Sequence, residues 1–206
     1  MGFISSFILP KGVDFNAALQ VQTDATGGVV TDLRNICIEN NAAMRSAFKT
    51  NVDKARILKT KNMKELLYVF ITPYDKESIY RFITELDWVA LSATHFLLEA
   101  DAYDVLPIRE YQPVFNALEA MTGLLEQSVK QLPKKSATAI AVNIDLIHEQ
   151  YETVISLSAK LMAAYLQGNE FKHIMIHTEL LTQLKEVAKR IRIAADSLED
   201  MAIKIT

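Results

Sequence analysis

A chain of 206 residues that is 50% hydrophobic and 23% charged is long enough to bury one full core and too apolar to be disordered. Its 6 glycines and 5 prolines leave little material for the many short turns of an all-β fold, so the composition favours long helices. A formal net charge of −3 supplies no basic field for nucleic acid, which we therefore exclude as a partner.

Apolar residues recur at helical spacing along the whole chain and predict six helices. The first helix, at residues 14–38, turns Phe15 and Leu19 inward, and Gly27 and Gly28 within it predict either the close approach of a neighbour or a bend. The other five helices are predicted at residues 41–70, 76–101, 114–132, 136–167 and 170–205.

The breaks between these helices carry residues that interrupt helical geometry. Pro73 separates the second helix from the third, because proline lacks the N–H that a helix interior needs and moves the preceding residue toward extended geometry. Pro113 falls in the next connection, Pro133 ends the fourth helix, and Gly168-Asn169 separates the last two. The predicted fold is an all-α, six-helix antiparallel bundle.

The two halves of the chain are similar to each other. The segment LDWVA at residues 86–90 aligns with LKEVA at residues 184–188, which superposes the third helix on the sixth and the long second helix on the long fifth. We interpret this as two pseudo-repeated three-helix units, at about residues 13–104 and 105–206, within a single helical domain at residues 1–206.

Residues 70–89, FITPYDKESIYRFITELDWV, join a helix stop to a helix start. Asp75 is placed to accept bonds from the free N–H groups of a new first turn, and Glu77 lies favourably against the dipole of that turn. The third helix is therefore predicted to begin near Lys76.

This stretch resembles the signature of the PhoU-like proteins, all-helical bundles described as phosphate transport regulators. The matching residues are Phe70, Ile71, Thr72, Pro73, Asp75, Glu77, Ile79, Tyr80, Leu86 and Asp87. A short apolar lead followed by Pro-Lys, at residues 8–11, also resembles the segment that precedes the first helix in that family. The resemblance extends over nearly the whole chain, is specific at residues 70–89, and implies a PhoU-like bundle.

PhoU-like proteins carry paired acidic residues, four apart, on the second and third helices of each half, and these carboxylates converge on a metal cluster. Residues four apart share one helix face, and oxygen ligands suit hard or borderline cations. The resemblance places the corresponding positions at Val52, Arg56, Asp87 and Leu91, and approximately at His148, Glu152, Lys185 and Lys189. Only Asp87 and Glu152 keep a carboxylate.

A cation among Arg56, Lys185 and Lys189 would meet strong like-charge repulsion, so we expect no metal site and no cofactor. Two interpretations remain open. In the first, ion pairs replaced the metal, with Arg56 on Asp87 and either Lys185 or Lys189 on Glu152. In the second, these residues are independent surface charges.

Other candidate sites have weaker patterns. His173 and His177 lie at i and i+4, a spacing that can present two imidazoles to one metal, although a pair without two further ligands is more often a partly solvated face. The sequence contains one Glu-x-x-His segment, at residues 170–173, where a ferritin-like di-iron centre needs two. It contains no phosphate-binding loop and no nucleophile elbow.

The resemblance implies a non-enzymatic helical protein that regulates phosphate transport by docking on an inorganic phosphate transporter or a signalling protein. Such a protein would meet a membrane only indirectly, through the transporter, and a homo-oligomer stays open. The one cysteine, Cys37, cannot form an internal disulfide and fits a reducing, cytoplasmic compartment. The alternative is a metal-dependent helical enzyme or a metal-storage protein, against which the lost carboxylates argue.

Overall fold

The computed structural model describes residues 13–168 and 170–204, within which the chain forms six α-helices and no strand. The helices are α1 (Phe15–Glu39), α2 (Ala42–Tyr68), α3 (Lys76–Ala102), α4 (Gln112–Val129), α5 (Ala137–Leu166) and α6 (Phe171–Ile203). Two short 3-10 helices, Arg109–Tyr111 and Leu132–Lys134, flank α4. The predicted all-α, six-helix fold is confirmed. The lead at residues 8–11, Asn169 and Ile205 lie outside the described residues.

Three helices begin at a side-chain cap. The side-chain oxygens of Asp14, Asn41 and Asp75 each accept a hydrogen bond from the backbone N–H three residues later, at 3.1, 3.0 and 3.0 Å. Each bond satisfies one of the donors that the first turn of a helix leaves free. Asp75 therefore caps α3 as the sequence predicts, and Lys76 is its first residue.

The ends of α4 differ from the prediction. Pro113, expected in the connection, lies in the first turn of α4, which begins at Gln112. Proline is tolerated there because the N–H that it lacks has no partner within the helix. The same helix ends at Val129, and Pro133 lies in the 3-10 turn that follows rather than at the end of α4.

Four helices, α1, α3, α4 and α6, form the interior, and α2 and α5 pack outside them. α2 packs on α1 and α3, and α5 packs on α4 and α6, so the contacts of the first three helices recur in the last three. The α1–α4 and α3–α6 contacts join the two sets. Neighbours run antiparallel: Ser78 at the start of α3 bonds Asp200 at the end of α6 at 3.3 Å, and Glu99 near the end of α3 accepts from Gln183 at 2.9 Å.

The glycine pair of α1 lies where two neighbours come close. A Cβ on Gly27 would collide with the Glu126 carboxylate of α4, and one on Gly28 would lie 3.3 Å from Nδ2 of Asn51 on α2. α1 continues through both glycines without interruption. The predicted close approach is confirmed, and its physical reason is the space that a missing side chain leaves.

Buried amides join α1, α2 and α3 within the core. Gln22 Nε2 donates to the backbone oxygen of Ile83 at 3.1 Å, and Asn62 Nδ2 donates to Gln22 Oε1 at 2.8 Å. Both amide side chains are only 1% exposed. A buried amide without a partner would cost about 1–3 kcal/mol of folding free energy. These bonds therefore favour the observed register of the three helices over registers shifted along the helix axes.

Leu86, on α3, is fully buried, whereas Leu98 on the same helix is 62% exposed. We expect Leu86→Ala to lower the free energy of unfolding by about 2–5 kcal/mol, because it removes apolar contacts and leaves a cavity. Leu98→Ala is the matched control and should change it by less than about 0.5 kcal/mol. Urea denaturation followed by circular dichroism measures both; equal effects of the two variants would contradict the packing of α3.

Candidate functional site

The family's acidic positions in the first half of the chain come together in one open pocket between α2 and α3, of about 300 Å³. Its lining residues are Val52, Arg56, Lys59, Asp87, Ala90, Leu91 and Thr94. All four positions that the resemblance selected are among them. The pocket therefore presents one carboxylate and two basic side chains where the family carries several carboxylates.

Asp87 forms an ion pair across this pocket, but its partner is Lys59 rather than Arg56. Lys59 Nζ lies 3.1 Å from Asp87 Oδ2, whereas no carboxylate of the described residues lies within 4.0 Å of the Arg56 guanidinium. The prediction of an Arg56–Asp87 pair is wrong. Its physical reason is the register of α2 on α3, which brings the residue nearly one turn beyond Arg56 to the carboxylate and leaves Arg56 exposed.

The corresponding positions of the second half do not form the expected pair either. Lys189 lies 3.9 Å from Glu186 on its own helix, and His148 Nε2 lies 2.7 Å from Asp196 Oδ1 on α6. Glu152 is exposed and has no ion-pair partner within 4.0 Å among the described residues. The predicted contact of Glu152 with Lys185 or Lys189 is therefore wrong, and on this side the interpretation as independent surface charges holds.

Within residues 13–168 and 170–204, no group of three or more His, Cys, Asp or Glu side chains is arranged to hold a metal ion.

The signature residues serve mainly to build the α2–α3 connection. The Thr72 hydroxyl donates to the backbone oxygen of Tyr74 at 2.6 Å, and Pro73 lies beside Tyr74 in a shallow pocket. Glu77 pairs with Arg81 at 3.0 Å on the exposed side of α3. Hydrogen bonds from Ser78, first from its backbone N–H, lower the pKa of Asp75.

Asp87 is distant from the other signature residues along α3. It lies about three helical turns beyond Asp75, or about 18 Å along the helix axis. Thr72, Pro73, Asp75 and Glu77 thus come together at one end of α3, and Asp87 belongs to the α2–α3 pocket.

The α2–α3 connection also exposes a group of large apolar side chains, which we call the apolar loop. α2 ends at Tyr68, two residues earlier than predicted, and the chain is extended at Val69. The apolar loop consists of Leu67, Tyr68, Phe70 and Ile71, which are 79%, 76%, 98% and 88% exposed. Lys76 Nζ bonds the backbone oxygen of Val69 across the connection.

A second cluster, which we call the Tyr-His cluster, lies where the 3-10 turn before α4 meets α5 and α6. The Tyr111 hydroxyl and His177 Nδ1 are 2.6 Å apart, and the Nε2 atoms of His177 and His173 are 3.1 Å apart. Tyr165 stacks on His177 with ring centroids 4.2 Å apart and donates to Glu110 Oε1 at 3.0 Å.

The sequence found only part of this cluster. The i, i+4 spacing indicated the two histidines, with a partly solvated helix face as the more common interpretation. In the structure His173 is exposed, whereas His177 is buried at 3% exposure. Burial lowers the pKa of His177, and the neighbouring His173 adds to that effect. Nothing in the sequence pattern indicated Tyr111 or Glu110, because they come from a different element.

The Lys59–Asp87 pair can be tested by a double-mutant cycle. The two side chains are about one third exposed, at 35% and 31%, so we expect a coupling free energy of no more than about 1 kcal/mol between Lys59→Met and Asp87→Asn. The same cycle on Arg56→Met and Asp87→Asn is the control and should give a smaller coupling. Thermal or urea unfolding measures both, and stronger coupling to Arg56 would contradict the assigned partner.

Comparison with known proteins agrees with the fold. No family model matches the chain, and no curated protein matches it by sequence. Among solved structures, a PhoU-like protein from Shewanella oneidensis MR-1 matches with a TM-score of 0.78 and 15% identity, over 91% of this chain and 98% of that one. A second structure from that organism, assigned as a PhoU-like phosphate regulatory protein, matches with a TM-score of 0.76 and 16% identity, over 90% and 97% of the two chains. The bundle described above therefore has the PhoU-like fold.

Proposed function

We propose that this chain is a non-enzymatic regulator of inorganic phosphate transport that works in the cytoplasm by docking on an inorganic phosphate transporter. The observation that carries the proposal is the nearly complete match, in both directions, to PhoU-like structures, one of which is assigned as a phosphate regulatory protein. The match to the first of these structures covers 91% of this chain and 98% of that one, so it rests on most of the bundle rather than on one shared motif.

The apolar loop is the surface that we assign to the transporter. Exposed large apolar side chains are common singly, but several of them adjacent on one connection mark an interaction site. The loop is held in place by the bonds at Thr72 and Lys76, so docking would cost little ordering entropy. The loop lies at the tip of the hairpin formed by α2 and α3, so a partner can contact it without disturbing the core.

The charge of the chain fits a transporter as the partner. Cytoplasmic loops of membrane proteins carry an excess of lysine and arginine, and this chain has a net charge of −3. None of its described helices is apolar enough over a sufficient length to span a bilayer. The proposal therefore places the chain at the membrane through the transporter and not by insertion of its own helices.

The α2–α3 pocket supports a regulator over a metal-dependent enzyme or a storage protein. A cation at Asp87 would have to displace Lys59 and would still face Arg56. The resulting repulsion at close range would offset much of the attraction of a single carboxylate. The pocket also offers no second acid for proton transfer.

Docking can be tested by co-sedimentation with membrane vesicles that contain, or lack, an inorganic phosphate transporter of the source organism. We expect binding only when the transporter is present, and at least a tenfold loss of affinity for the double variant Phe70→Ser and Ile71→Ser. The loss follows from removing two apolar contacts worth about 1.5 kcal/mol or more each when buried. Phe171→Ser is the matched control, because Phe171 is 78% exposed at the start of α6, away from the apolar loop in the chain.

Equal binding to both kinds of vesicle, or to neither, would refute the transporter as the partner. The melting temperature of the double variant should stay that of the wild type, since both side chains are almost fully exposed. A variant that melts early would show instead that the loop has a structural role.

We also predict that Asp87 binds no metal, and this prediction does not depend on docking. Asp87→Asn should leave the iron, zinc and nickel content of the purified protein unchanged, because Lys59 already neutralises that carboxylate. Elemental analysis of the two proteins, prepared side by side, measures this. A metal present in the wild type and lost in the variant would favour the metal-dependent alternative.

A further inference from the structure

The Tyr-His cluster holds His177 between a hydrogen-bonded tyrosine and a stacked one. Tyr165 donates to Glu110 Oε1 at 3.0 Å and stacks on the His177 ring with centroids 4.2 Å apart. The Tyr111 hydroxyl lies 2.6 Å from His177 Nδ1. Tyr111 is fully buried, so each of its polar contacts is made without competition from bulk water.

Tyr111 and His173 lie at opposite nitrogens of the His177 ring. The Tyr111 hydroxyl is 2.6 Å from Nδ1, and Nε2 of His173 is 3.1 Å from Nε2. With Tyr111 on Nδ1, Nε2 is the nitrogen of His177 that a cation on the His173 side would meet.

The geometry points to an exchangeable binding site for a late first-row divalent cation, of the Zn²⁺, Ni²⁺ or Cu²⁺ type, held by Nε2 of His173 and Nε2 of His177. The two nitrogens are 3.1 Å apart. Two imidazole nitrogens each about 2.05 Å from one metal would subtend roughly 100° at that distance, close to a tetrahedral or square-planar angle. The cation would take the place of the proton that the two nitrogens otherwise share.

The surroundings hold both imidazoles in position before a cation arrives. Tyr165 stacks on His177 with centroids 4.2 Å apart and meets His173 edge-on at 5.3 Å. The bond from Nδ1 to Tyr111 supplies the outer contact that metal-binding histidines commonly make, which orients the ring and raises its basicity. Little side-chain freedom would therefore be lost on binding.

The exposure of the site and the chemistry of its nitrogen ligands together indicate the class of cation. His177 is buried and His173 is exposed, so a cation can enter from solvent and water can complete its coordination. Nitrogen ligands favour late transition metals over Mg²⁺ and Ca²⁺, which prefer oxygen. With two protein ligands and no group of three among the described residues, the bound cation should exchange readily.

This site is separate from the positions that the family resemblance selects. His173 lies twelve residues before Lys185 on α6, about 18 Å along the helix, and the α2–α3 pocket is in the other half of the bundle. It also does not depend on the proposed docking, because none of its residues belongs to the apolar loop.

The test is calorimetric titration of Zn²⁺ into the chelator-treated, full-length protein. We expect one Zn²⁺ per chain for the wild type and for His148→Ala, a control histidine that pairs with Asp196 elsewhere on α6. His173→Ala should lose at least a factor of ten in affinity, and Tyr111→Phe should lose about tenfold through the outer contact. Asp87→Asn should bind as the wild type does.

Two results would overturn the proposal: no Zn²⁺ binding by the wild type, or His173→Ala binding with unchanged affinity and stoichiometry. His173 is exposed, so its replacement should preserve the fold, and an unchanged melting temperature of the cation-free variant checks this. The loss of affinity then reports the ligand itself.

Discussion

The packing of α3 against α6 is the contact on which the rest of the bundle depends. It joins the third helix of one half to the third helix of the other, and both helices are rich in fully buried residues. These include Ile79, Phe82, Ile83, Leu86 and Val89 of α3, and Leu184, Val187, Ile191, Ala195 and Leu198 of α6. At 25–30 cal/mol per Å² of apolar surface removed from water, such an interface outweighs any single polar contact in the molecule.

Polar groups at the edges of this interface set its register. Lys204 donates to Ser78 at 3.0 Å and Ser78 donates to Asp200 at 3.3 Å at one end, and Gln183 donates to Glu99 at the other. The Arg190 guanidinium lies 4.8 Å from the ring centroid of Trp88 between them. These contacts contribute little stability individually because they are exposed, but a shift of one turn would break all of them together.

The division into four inner and two outer helices puts the α2 positions that the resemblance selects on an outer helix. The α2–α3 pocket opens on the outer side of the bundle, and only Phe48, Ala55, Asn62 and Leu66 of α2 are buried. Val52 is partly buried against the core, whereas Arg56 is exposed. Asp87 has a charge partner in Lys59, whose Nζ lies 3.1 Å from Asp87 Oδ2.

The two surfaces to which we assign a function differ in what organises them. The apolar loop is built from residues within one short segment, at the end of α2 and just beyond it. The Tyr-His cluster takes one residue pair from the turn before α4, one tyrosine from α5 and two histidines from α6. Its hydrogen bonds exist only when those three elements are packed together.

The sequence by itself determined the six helices and the cap at Asp75, because these depend on residues within one or two turns of each other. At Gly27 and Gly28 it left a close approach and a bend open, and the neighbours on α4 and α2 decided for the close approach. It also grouped Val52, Arg56, Asp87 and Leu91 correctly, since helix periodicity fixes which residues share a face. Only the tertiary structure decided that Lys59 and not Arg56 meets Asp87, and that Tyr111 meets Nδ1 of His177. Partners across helices depend on register to within one turn, about 5.4 Å, and on side-chain rotamers, neither of which local sequence specifies.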